Sequence, residues 1–188
     1  LHGSRTDFYS PWLLKDMEKA VTILQKKIEN RNRIRIIGDY DIDGVMSTYI
    51  LLQSLRGLGC DVDMMIPNRI TDGYGINEHL IEQAWQEGRD TIITCDNGIA
   101  AMTQIQKAKD LGMTVIVTDH HEVPFEDVEG GRKEILPPAD AVVNPKQKAC
   151  SYPFAGLCGA AVAMKVMEAL YEKMAPEVDL VDKMLPFA

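Results

Sequence analysis

Asp39-Tyr40-Asp41-Ile42-Asp43-Gly44 follows the apolar run Ile34-Arg35-Ile36-Ile37. Three carboxylates at alternate positions behind a strand-like segment are poor packing material. Like charges this close resist ionisation unless a cation neutralises them. Clustered oxygen ligands suit Mg²⁺ or Mn²⁺. The same residues could open a calcium loop, but that loop needs a bidentate Glu at its twelfth position and a helix in front. The twelfth residue from Asp39 is Ile50, and the segment in front is β-branched.

Two further groups have the same placement. Asp96-Asn97-Gly98 follows Thr91–Cys95, and Asp119-His120-His121 follows Thr114–Thr118. A single Asp after a strand is usually a helix cap or part of a turn. Asp43, for instance, could cap a helix starting near Val45. The same residue type at three strand ends points instead to a shared metal site, with one of the adjacent histidines as ligand and the other facing substrate. Arg69, in Pro67-Asn68-Arg69, could clamp a phosphate. Gly73, Tyr74 and Gly75 follow it, with room for backbone approach and a stacking ring. Ala155-Gly156-Leu157-Cys158-Gly159-Ala160 opens a later helix, either as an anion site or as a tight packing point.

The elements that must hold these groups alternate. Apolar residues at helical spacing run over about 11–30, then strands are expected at 33–37, 61–67, 91–95, 114–118 and 139–143. Helices are expected over 45–58, 78–88, 99–111 and 160–174, with another beginning near 178. Short, wholly apolar strands between helices imply an α/β fold: a doubly wound, mainly parallel sheet with helices on both faces. In such sheets ligands gather at the carboxyl ends of the strands. The segment 1–30 is expected to pack as a helix on a core domain of 31–188. Glu122–Pro138, with Gly130-Gly131-Arg132-Lys133, is expected to be an irregular, mobile surface insertion.

Composition narrows the function. The 188 residues carry a net charge of −8, which argues against a non-specific nucleic-acid coat but not against a metal-dependent nuclease. No apolar run reaches the roughly 20 residues of a membrane span, and the start lacks a signal-peptide pattern, so a cytoplasmic protein is expected. Cys60, Cys95, Cys150 and Cys158 form no CxxC pair; free thiols are expected rather than zinc.

The order of these blocks resembles the DHH phosphoesterase superfamily, named for a triplet like Asp119-His120-His121. Trp12–Met17, Pro67-Asn68-Arg69 with Gly73-Tyr74-Gly75, Val143-Asn144-Pro145 and the Gly156–Lys165 helix start resemble its RecJ-like branch of single-strand-specific exonucleases. The resemblance implies two Mn²⁺ ions, with Mg²⁺ as substitute, held by Asp41, Asp43, Asp96 and His120, with Asp96 as bridge. It implies catalytic or supporting roles for Asp39, Asp119 and His121, and backbone binding by Arg69, Gly73, Tyr74 and Gly75. It also implies 5′-end hydrolysis of single-stranded DNA in repair and recombination, with a single-strand-binding protein and a helicase as partners. Relatives acting on oligoribonucleotides or cyclic dinucleotides share the metal motifs, as would a DHH module that has lost catalysis. Two departures stand out. Ile37 occupies a position where some relatives have a metal-binding His. A further metal-binding Asp is expected after a segment like Met184–Ala188, followed by a second lobe and nucleic-acid-binding domains. The chain thus reads as an N-terminal fragment that holds metal weakly.

Overall fold

β-Branched residues crowd four of the short apolar runs, and each forms a strand. The computed structural model describes residues 8–67 and 75–188. After a 3-10 turn at Pro11–Leu13 come α1 (Met17–Glu29), β1 (Arg33–Ile37), α2 (Ile42–Gly57), β2 (Asp61–Met65), α3 (Glu78–Gln86) and β3 (Thr91–Cys95). Then follow α4 (Met102–Asp110), β4 (Thr114–Thr118), β5 (Phe125–Val128), β6 (Gly131–Glu134), β7 (Ala141–Val143), α5 (Gly159–Met174) and α6 (Leu180–Met184).

β2-β1-β3-β4-β7 form one sheet, in that order, with every pair parallel. Alternate strand residues enter two cores. Ile36, Ile93 and Ile116 pack with α1, α2 and α5. Ile37, Ile92, Val115 and Val117 pack with α3 and α4. Burial on both faces explains why these strands read as continuous apolar runs. Register at the sheet edge is helped by Arg35, opposite Asp63. Its guanidinium donates to both Asp63 oxygens, at 2.9 and 2.7 Å. α1 is part of the first core, and Asp16 just before it accepts the Val142 N–H at 3.2 Å.

The chain leaves β1 for β2 on one side and returns to β3 on the other. That reversal opens a crevice at the carboxyl ends of β1 and β3, where ligands bind in such sheets. No helix among the described residues is long and apolar enough to cross a membrane.

Two expectations are corrected. Residues 122–138 are not irregular throughout: β5 and β6 pair antiparallel across Glu129-Gly130, with Phe125 opposite Glu134 and Asp127 opposite Arg132. Gly130 and Gly131 have φ of 94° and 148°, which the reversal requires. Both strands lie almost wholly exposed, so no alternation of apolar and polar residues announced them. Second, α2 begins at Ile42 rather than near Val45, because Asp41, not Asp43, is its cap. The Asp41 carboxylate accepts the Gly44 N–H at 2.9 Å.

Candidate metal centre

Two glycines bring the loop after β1 tightly over the start of α2. A Cβ on Gly38 would overlap the Thr48 hydroxyl, and one on Gly44 would lie 2.5 Å from the Asp39 carbonyl oxygen. Asp39 is thereby buried, its Oδ1 accepting the Tyr40 N–H at 2.8 Å. After β3, Asp96 takes a left-handed backbone conformation, φ 59°, uncommon for a residue with a side chain and frequent at functional sites. Its N–H donates to the Thr118 carbonyl at 3.0 Å. Asn97 donates its amide to the carbonyls of Ile37 and Cys95, at 3.2 and 3.1 Å, and so ties the ends of β1 and β3 together.

Among the described residues, side-chain ligand atoms then converge in two groups, each spanning no more than 4.8 Å: Asp39, Asp41 and Asp96, and Asp96, His120 and His121. Asp96 belongs to both. Its Oδ1 is buried and accepts no hydrogen bond from the described residues. The His120 Nε2 atom stands 2.9 Å away. Burial first, and then the charges of Asp43 and Asp41, push the Asp96 carboxyl up to about 8. Gly159 makes room for it, since a Cβ there would lie 2.6 Å from Asp96 Oδ1. A buried, orphaned carboxylate oxygen between carboxylates and imidazoles fits a divalent cation. Mn²⁺ or Mg²⁺ suits this oxygen and nitrogen donor set.

The remaining candidate residues divide. Asp43 stands outside both groups. Its two oxygens accept the Gly159 and Ala160 N–H groups, each at 2.7 Å, so it caps the N-terminus of α5. It keeps one link to the centre, 3.5 Å from His120 Nε2. Asp39, expected to stand behind the ligands, lies among them. Asp119 is buried and faces inward: it accepts N–H groups of Ile99, His120 and His121 at 2.9, 2.7 and 3.1 Å, and His121 Nδ1 lies 2.7 Å away. Burial opposes its charge, yet His121 and these N–H groups outweigh burial and hold its carboxyl below the usual range. In turn the hydrogen bond to Asp119 raises the His121 pKa against partial burial. Bonding at Nδ1 orients the ring and makes Nε2 its ligand or substrate-facing atom.

Gly75 is described, with φ 69°, and lies buried beside Asn97. It lines a cavity of about 290 Å³ with Ile76, Asn97, Ile99, Gln104 and His121. Arg69, Gly73 and Tyr74 lie outside the described residues. Asn97 and Gly159 are the site residues that motif reading undervalued. The signal for each was present, an Asn directly after the third strand's Asp and a glycine at a helix start, but a turn and a packing point account for both equally well.

The centre can be set beside known proteins. A model of the DHH family, N-terminal domain, matches residues 33–186. Over 178 residues the chain is 42% identical to the single-stranded-DNA-specific exonuclease RecJ of Bacillus subtilis strain 168, covering 95% of this chain and 22% of that protein. A crystal structure of exonuclease RecJ bound to manganese superposes with a TM-score of 0.74 and 32% identity, over 93% of this chain and 42% of that one. RecJ of Thermus thermophilus in complex with Mn²⁺ gives a TM-score of 0.69 and 30% identity, over 93% and 24%. The chain spans about a quarter of the length of the curated relatives it matches.

Proposed function

Because the chain belongs to the DHH family, we propose that it hydrolyses phosphodiester bonds of single-stranded DNA from the 5′ end, with divalent cations at the carboxyl ends of β1, β3 and β4. The observation that carries this reading is the pair of ligand groups joined through Asp96. Mn²⁺, or Mg²⁺ in its place, would supply Lewis acidity and charge neutralisation for an in-line displacement at phosphorus.

The chain's own residues have separable parts. Asp39 and Asp41 would hold one cation and His120 the other, with Asp96 between them. His121, its charged form favoured by Asp119, faces the charge that develops on the phosphate. Asp119 positions that ring. The cavity beside His121 receives a nucleotide, and the buried Asn97 Oδ1, which accepts no hydrogen bond from the described residues, offers it an acceptor. Arg69, Gly73 and Tyr74 grip the backbone of the strand. Residues 31–188 act as the catalytic domain, with α1 packed into its core. The protein works in the cytoplasm, consistent with four free cysteines. A helicase and a single-strand-binding protein are the partners that would expose and present its substrate.

Asp96→Ala tests the reading. It should abolish Mn²⁺-dependent release of nucleotides from single-stranded DNA by the native protein. Release that persists at the wild-type rate would remove Asp96 from the centre and the mechanism with it.

A further inference from the structure

The β5–β6 hairpin has no part in the metal centre, yet it stands next to it. Glu122, directly after His121, lines both the cavity described above and a second groove of about 640 Å³ under the hairpin. The second groove is also lined by Phe125, Arg132, Glu134, Lys146 and Lys148. Three cations therefore face two carboxylates, in a chain whose net charge is −8. Both carboxylates are engaged: Glu122 by Lys146 at 2.8 Å, and Glu134 by the Lys148 backbone N–H at 2.6 Å.

The Lys148 N–H leaves Glu134 charged, so Arg132 and Lys148 set against Glu134 give the groove a net formal charge of +1. Arg132 reaches Asp127 only at 3.4 Å, with both side chains mostly exposed, a geometry of little strength. Its guanidinium lies 4.1 Å from the centroid of the Phe125 ring, which is itself 48% exposed. An exposed ring with a guanidinium over one face, beside a lysine, is the combination that stacks bases and holds phosphates of a single strand without reading sequence.

We infer that this groove binds the single strand beyond the nucleotides held at the metal centre, with Phe125 and Arg132 as a stacking platform and Arg132 and Lys148 as phosphate contacts. Continuity decides the partner. Glu122 lines both the cavity beside His121 and this groove, so a polymer held at His121 can run on into it. The inference rests on the reading of the chain as a single-strand nuclease.

The test uses the native protein in EDTA, so that binding is read without turnover, with a 3′-labelled 20-nucleotide oligothymidylate and a dinucleotide as probes in fluorescence anisotropy. The double variant Arg132→Gln/Lys148→Gln should bind the long probe about tenfold more weakly. The slope of log affinity against log salt should fall by about 1.4, the loss of two phosphate contacts on a single strand. Phe125→Ala should weaken it about fivefold or more, and Phe125→Tyr should restore it. Dinucleotide affinity should stay at the wild-type value in every variant. Wild-type affinity of the variants for the long probe, or an equal loss on both probes, would overturn the inference. A wild-type protein that binds the long probe through this groove, yet releases no nucleotide with Mn²⁺, would refute the proposed reaction and leave the groove standing.

Discussion

Asp96→Asn in the metal-free protein should make the fold more stable at alkaline pH, although it removes the residue on which the centre depends. The native Asp96 carboxyl titrates at about 8, against an ordinary 3.8, chiefly because it is buried and then because Asp43 and Asp41 lie near. Between those values the folded chain keeps a proton that the unfolded chain has lost. The stability contributed by this group is therefore fully present below about pH 4 and is lost as pH rises through 8. At about 1.4 kcal/mol per unit, the whole shift sets an upper limit of roughly 6 kcal/mol, and relaxation of the carboxylates will reduce it. From pH 6 to pH 8.5 the wild type should lose about 2–3 kcal/mol through this group. The neutral amide of the variant loses none. Urea unfolding in EDTA, followed by circular dichroism, measures this. His121 is coupled to Asp96, so the difference between the two proteins reads Asp96 together with its effect on His121. Mn²⁺ should restore the wild type at pH 8.5 and leave the variant nearly unchanged. Parallel pH dependences in the two proteins would refute the claim that the buried Asp96 carboxylate is held at the expense of the fold.

Two further substitutions separate positioning from ligation. Gly159→Ala places a methyl group 2.6 Å from Asp96 Oδ1. It should weaken Mn²⁺ binding at least about tenfold by calorimetric titration, although Ala for Gly in a helix ordinarily stabilises by about 1 kcal/mol; unchanged affinity would show that Asp96 does not need this gap. Asp43→Ala removes two 2.7 Å bonds from the start of α5. It should cost about 1–2 kcal/mol in thermal unfolding without metal. It should reduce Mn²⁺ affinity less than Asp41→Ala does, and an equal reduction would make Asp43 a ligand in its own right.

Much of the fold was legible because parallel strands buried on both faces leave continuous apolar runs, as at Ile34–Ile37 and Thr114–Thr118. Helix ends were less legible. Asp41 and Asp43 are equally good caps by residue type, and the tight turn allowed by Gly38 and Gly44 selects Asp41. The hairpin was not legible because its strands bury almost nothing and carry no periodic apolar signal.

For the centre, sequence alone determined which residues arrive at the rim of the sheet, since a parallel strand delivers whatever follows it to its carboxyl end. That was sufficient to bring Asp39, Asp41, Asp96 and Asp119-His120-His121 together as candidates. Only the tertiary structure decided their parts. The N-terminus of α5, more than a hundred residues after β1, supplies two N–H groups that turn Asp43 away from the ligand groups. The loop after β4 folds its own N–H groups onto Asp119, which directs that carboxylate inward and fixes His121. Local spacing says where a carboxylate starts. The donors that claim its oxygens come from distant segments, and only packing brings them into reach.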